Sequence, residues 1–92
     1  MEIKSNLTSS DLYLLRNCIP DIQDNVSCED LLKILPKKIN NHNLVYRPLP
    51  GEEQWVAYYD GDMEYESAQV CETLIDSLFE LVIFLYESKY LK

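Results

Sequence analysis

Trp55-Val56-Ala57-Tyr58-Tyr59-Asp60-Gly61-Asp62-Met63-Glu64-Tyr65-Glu66 strings aromatic and aliphatic residues up to an Asp-Gly step and alternates them with acids beyond it. Asp-Gly between two such runs is a strong signal for a two-residue hairpin loop, whose residues must accept positive φ. The stretch therefore predicts two antiparallel strands, Gln54–Tyr59 and Asp62–Glu66. Just upstream, Leu44–Pro48 has the same strand-forming composition and leads into Pro50-Gly51, a type II turn signal. The expectation is a three-stranded antiparallel meander, Leu44–Pro48, Gln54–Tyr59 and Asp62–Glu66.

Helices are predicted on both sides of the meander. Thr8-Ser9-Ser10-Asp11 offers N-cap residues ahead of Leu12, Leu15 and Ile19, and Pro20 stops that helix. Ser27-Cys28-Glu29-Asp30 reads as a capping box before Leu31, Leu32, Ile34 and Leu35, and Pro36 ends the second helix. Asn40-Asn41-His42-Asn43 reads as a loop by composition. Ser67 is read as the start of a last helix reaching about Ser88. On a wheel of about 100° per residue, Val70, Cys71, Leu74, Ile75, Leu78, Phe79, Leu81, Val82, Leu85 and Tyr86 fill one continuous half. The order α-α-β-β-β-α, with one sheet face covered, is a two-layer α+β domain spanning residues 1–92.

The predicted hairpin sorts side chains by face, since directly opposed residues share one. Tyr58 opposite Met63 and Val56 opposite Tyr65 make a core face. Trp55, Ala57 and Tyr59 then stand on the other face beside Asp62, Glu64 and Glu66. Two readings of that face compete. Another element covers Trp55 and the acids only protect an edge strand, or aromatics and carboxylates together form a docking surface. A one-residue slip in register reverses the assignment.

Charge gives the clearest statement about partners. Between Arg47 and Lys89 there is no lysine, arginine or histidine, yet there are ten carboxylates: Glu52, Glu53, Asp60, Asp62, Glu64, Glu66, Glu72, Asp76, Glu80 and Glu87. Residues 1–47 balance six basic against six acidic side chains, so the net charge of -8 belongs to the C-terminal half. Glu72, Asp76 and Glu80 fall at successive i,i+4 positions of the predicted helix, with Glu87 continuing the stripe. Like charges at that spacing oppose helix formation. Ile83 and Phe84 fall on this polar side, as a partner anchor, a dimer contact, or residues tucked under the N-terminal segment. Such a surface repels nucleic acid and anionic lipid and attracts basic proteins.

Several chemistries lack their residues. Cys18, Cys28, Cys71 and the single His42 do not have zinc-ligand spacing, and the cysteines read as reduced, buried thiols. Counted from Asp60, a calcium loop would need glycine where Tyr65 stands and glutamate where Cys71 stands. The only glycines, Gly51 and Gly61, are used by turns, so no phosphate-binding loop and no cofactor site is expected. The start has no secretory pattern, and the longest apolar run, Leu81–Tyr86, is far short of the roughly 20 residues that cross a bilayer. A soluble cytoplasmic protein, not an enzyme and without metal or membrane association, is the expectation.

From Trp55 to Leu85 the chain resembles small phage and prophage proteins, through Trp55-Val56-Ala57-Tyr58-Tyr59 and the helical run Thr73-Leu74-Ile75-Asp76-Ser77-Leu78-Phe79-Glu80-Leu81-Val82-Ile83-Phe84-Leu85. The segment Thr73–Leu78 is also similar to the helix after the strands of HicB-type antitoxins, but the glycine-bearing strand and DNA-binding addition of that family have no counterpart here. The phage-type resemblance implies a short accessory protein that binds host machinery. The functional expectation is an acidic inhibitor of a basic, nucleic-acid-handling protein, such as a nuclease or CRISPR effector, through nucleic-acid mimicry. Its docking residues would be Trp55, Tyr59, Asp62, Glu64, Glu66, Glu72, Asp76, Glu80, Ile83, Phe84 and Glu87. The alternatives are a homo-oligomeric accessory protein and a HicB-like antitoxin component. As the free protein, a monomer or a homodimer is expected.

Overall fold

The computed structural model describes residues 7–20, 22, 26–51, 53–61 and 67–89. Helix α1 (Ser9–Cys18) and helix α2 (Cys28–Ile34) precede four strands: β1 (Lys38–Ile39), β2 (His42–Pro48), β3 (Trp55–Tyr59) and β4 (Gln69–Cys71). Helix α3 (Leu74–Glu87) closes the order. The strands form one antiparallel sheet in the order β1-β2-β3-β4. The fold is α+β, with a sheet whose one face shares a single core with the three helices.

Local chemistry fixes the first two helices as the sequence indicates. Thr8 caps α1 by accepting from the Asp11 backbone N–H at 3.1 Å, while the Asp11 carboxylate accepts from the Thr8 N–H at 3.1 Å. Ser27 and Asp30 make the same reciprocal box at α2. These pairs occupy backbone donors that a helix start leaves unpartnered. The loop between β2 and β3 contains Gly51 at φ +75°, the left-handed position that follows proline in a type II turn.

The sheet begins earlier than predicted. Asn40 (φ 50°) and Asn41 (φ 71°) form a two-residue loop between Ile39 and His42, which pair with one another. Asparagine tolerates the left-handed region, so Asn-Asn builds a hairpin where composition alone suggests a loop. Gly61 holds a second such position at φ +74°, and a Cβ there would lie 2.6 Å from Nδ1 of His42.

The last strand and last helix are placed differently from the expectation. The predicted strand Asp62–Glu66 lies outside the described residues. Beyond β3 the paired strand is β4, with Trp55, Val56 and Ala57 opposite Cys71, Val70 and Gln69. Val56 therefore does not pair with Tyr65. Ser67 does not open the last helix, because β4 and Thr73 stand between it and α3. Its Oγ accepts from the Tyr59 N–H at 2.9 Å, which ties the segment before β4 to the end of β3. The cap is Thr73, whose Oγ1 accepts from the Asp76 N–H at 3.2 Å and donates to Oδ2 of Asp76 at 2.9 Å.

The covered face is also reversed. Ala57 and Tyr59 are fully buried in the common core, and Trp55 is half-buried on the same side. The small side chain of Ala57 lets α3 approach β3, and Ser77 of α3 donates its hydroxyl to the Trp55 carbonyl at 2.9 Å. Val56 and Tyr58 point to the other face with Val45, Arg47 and Val70. There Val56 is 5% exposed but Val70 is 49% exposed. Val70 and Cys71 thus leave the predicted helical stripe for the sheet.

Candidate functional site

Four acidic residues, Asp11, Asp76, Glu80 and Glu87, lie on one side of the helical layer. Asp76 and Glu80 stand one turn apart on α3, and Glu87 lies about two turns further along. Helix α1 packs against α3 through Leu12 and Leu15, which brings Asp11 within electrostatic reach of Glu80. The Glu80 carboxyl is pushed above its ordinary range, first by partial burial and then by the negative charges of Asp11, Asp76 and Glu87. Three carboxylates from two helices therefore act on Glu80. Asp11 has a structural duty in the α1 capping box, which is why the sequence shows it only as a cap.

The remaining predicted site residues divide clearly. Glu72 precedes α3, so it is not in helical register with Asp76; it lines an open cleft of about 700 Å³ with Glu53, Gln54 and Thr73. Ile83 and Phe84 are half-buried and packed against the core, because α1 and α2 cover flanks of α3 that a single-faced helix would expose. They do not stand as free anchors. Asp62, Glu64 and Glu66 lie outside the described residues.

Tyr59 is withdrawn from any docking surface. It is fully buried, its hydroxyl donates to the Pro36 carbonyl at 2.6 Å, and burial pushes its pKa up, so it remains a donor. Trp55 is half-buried on the same inner face, at the β3 end nearest Cys71. The aromatic half of the predicted surface is thus mostly structural, and of its acidic half Asp76, Glu80 and Glu87 share one side of α3.

The chain matches no family model, no curated protein and no solved structure.

The chemistry of the described residues bears directly on what this face can do. Burial raises the pKa of all three thiols. At Cys18 the charge of Glu87 adds to it. At Cys71 the Ser77 hydrogen bond opposes the rise, while Glu80 and Asp76 add to it. Thiols held protonated are poor nucleophiles. Among the described residues no group of three or more His, Cys, Asp or Glu side chains is arranged to hold a metal ion. No helix among them is long and apolar enough to cross a membrane. A compact negative surface attracts cations and cationic proteins and repels phosphate chains.

Proposed function

We propose that this chain is a non-enzymatic protein-binding module whose Asp11–Asp76–Glu80–Glu87 face seats against a basic, nucleic-acid-handling protein. The observation that carries the reading is the convergence of Asp11 from α1 on Glu80 of α3, where three carboxylates already follow one helix side. Packing two helices so that their acids face the same way costs stability. Glu87 adds to that cost by placing a negative charge in the last turn, against the negative end of the helix dipole. Departures from local stability rules are expected at functional sites.

The mechanism is competition. Carboxylates take the positions at which the partner's arginines and lysines would hold phosphates. The concrete form is an inhibitor of a nuclease or CRISPR effector.

Affinity capture tests this with wild-type chain and with Asp76→Lys, Glu80→Lys and Glu87→Lys combined, both verified as folded by circular dichroism. The wild type is expected to retain a basic protein that a soluble polyanion releases, and the charge-reversed chain is expected to retain none. Equal capture by the two chains overturns the proposal.

A further inference from the structure

Two surface features, one of them bordering that face, are complementary to each other. The first is a cleft of about 530 Å³ at the C-terminal end of α2. Its apolar lining is Leu32, Leu35 and Pro36, and its charged rim is Lys33, Lys37 and Glu29. Two lysines against one glutamate make it locally positive on a chain whose net charge is -8. The second is the outer side of α1, where Tyr13 is 64% and Leu14 is 47% exposed. Ser10 and Asn17, one turn to either side, are exposed as well, so this is the solvent face of the helix. Asp11, on the turn before Leu14, lies within electrostatic reach of Glu80 and makes the margin of this apolar ridge negative.

We propose that α1 of one copy docks in the α2 cleft of a second copy, with Tyr13 and Leu14 against Leu32 and Pro36 and with Asp11 and Glu80 toward Lys33 and Lys37. Charge selects this occupant. Two copies of a strongly negative chain repel in most orientations, and the lysine-rimmed cleft is a place where the acidic α1–α3 margin of another copy meets opposite sign. Exposed aromatic and aliphatic side chains supply the desolvated centre that a charge pair alone lacks. The contact joins two different surfaces, so it is head-to-tail, and each dimer keeps one ridge and one cleft unused. It also occupies Asp11 and Glu80, so self-association and capture of a basic partner compete. Self-association is tested with this chain alone and stands or falls independently of the basic partner.

Sedimentation velocity from micromolar to millimolar protein is the experiment, on wild type, a ridge variant (Tyr13→Ser with Leu14→Ser) and a cleft variant (Lys33→Glu with Lys37→Glu). The wild type is expected to grow from one chain mass to two and beyond as concentration rises. Each variant alone stays at one chain mass, and an equimolar mixture of the two stops at twice the chain mass, because only one intact ridge–cleft pair remains. That restored dimer also shows that both variants fold. A wild type that stays monomeric, a variant that still associates alone, or a mixture that stays monomeric overturns the proposal.

Discussion

Replacing Glu80 and Glu87 by lysine should stabilise the protein, and the size of the gain can be worked from α3. Asp76 and Glu80 are like charges one turn apart, a pair that costs roughly 0.2–0.5 kcal/mol. Glu87 stands in a last turn that holds no basic residue. A charge of the wrong sign at that end costs roughly 0.3–1 kcal/mol. Glu80→Lys sets a cation one turn after Asp76, the favourable order for such a pair, and Glu87→Lys sets one at the carbonyl end. Doubling each contribution and discounting for solvent screening leaves a gain of about 1–2 kcal/mol. Urea unfolding reads it as a higher midpoint at unchanged slope. An unchanged or lower midpoint would show that the acids are engaged favourably within the fold, and their retention for a partner would be refuted.

Three further outcomes follow from buried or charged groups. Ser67→Ala leaves the Tyr59 N–H without its acceptor and should cost about 1–3 kcal/mol; hydrogen exchange should show the Tyr59 amide losing protection, and a protected amide contradicts the assignment. Tyr59→Phe removes the donor to the Pro36 carbonyl and should cost about 1 kcal/mol by thermal or urea unfolding, with a neutral result refuting the clamp between α2 and β3. The pH dependence has two opposed parts. Glu80, raised in the fold, contributes instability that appears as pH rises through the ordinary glutamate range and is complete above its folded pKa. Glu80→Gln should therefore be more stable than wild type at neutral pH and equal to it in acid below that range. Asp30 is lowered, chiefly by the Ser27 backbone N–H, so its contribution is present above the ordinary aspartate range and is lost as pH falls through its folded pKa. Asp30→Asn should weaken the protein at neutral pH, with the gap closing in acid; urea midpoints across pH check both.

Local signals carried the sequence reading where one residue's chemistry decides one bond. Thr8 with Asp11 and Ser27 with Asp30 start helices as read, and Pro50-Gly51 makes its turn. The same capping criterion separates the two candidate starts of the last helix. Thr73 has an acid, Asp76, at its third following position, whereas Ser67 has Val70 there. Asn40-Asn41 likewise carried a hairpin signal.

The strand faces were illegible for a different reason. Trp55, Val56, Ala57, Tyr58 and Tyr59 are apolar on both sides, so alternation does not tell which side α3 covers, and the choice falls to the small Ala57 and the Ser77–Trp55 bond. The candidate site was half legible. The acids of α3 were evident from their spacing, but Asp11 joins them only through the packing of α1 on α3, which brings opposite ends of the chain together.

The decisive measurement is the association constant of the wild-type chain with its captured basic partner at low and at high ionic strength. A steep loss of affinity with salt is expected, and near-complete loss when Asp76→Lys, Glu80→Lys and Glu87→Lys are combined. An affinity that is flat across salt and indifferent to those three substitutions would contradict an acidic face built to seat a cationic protein.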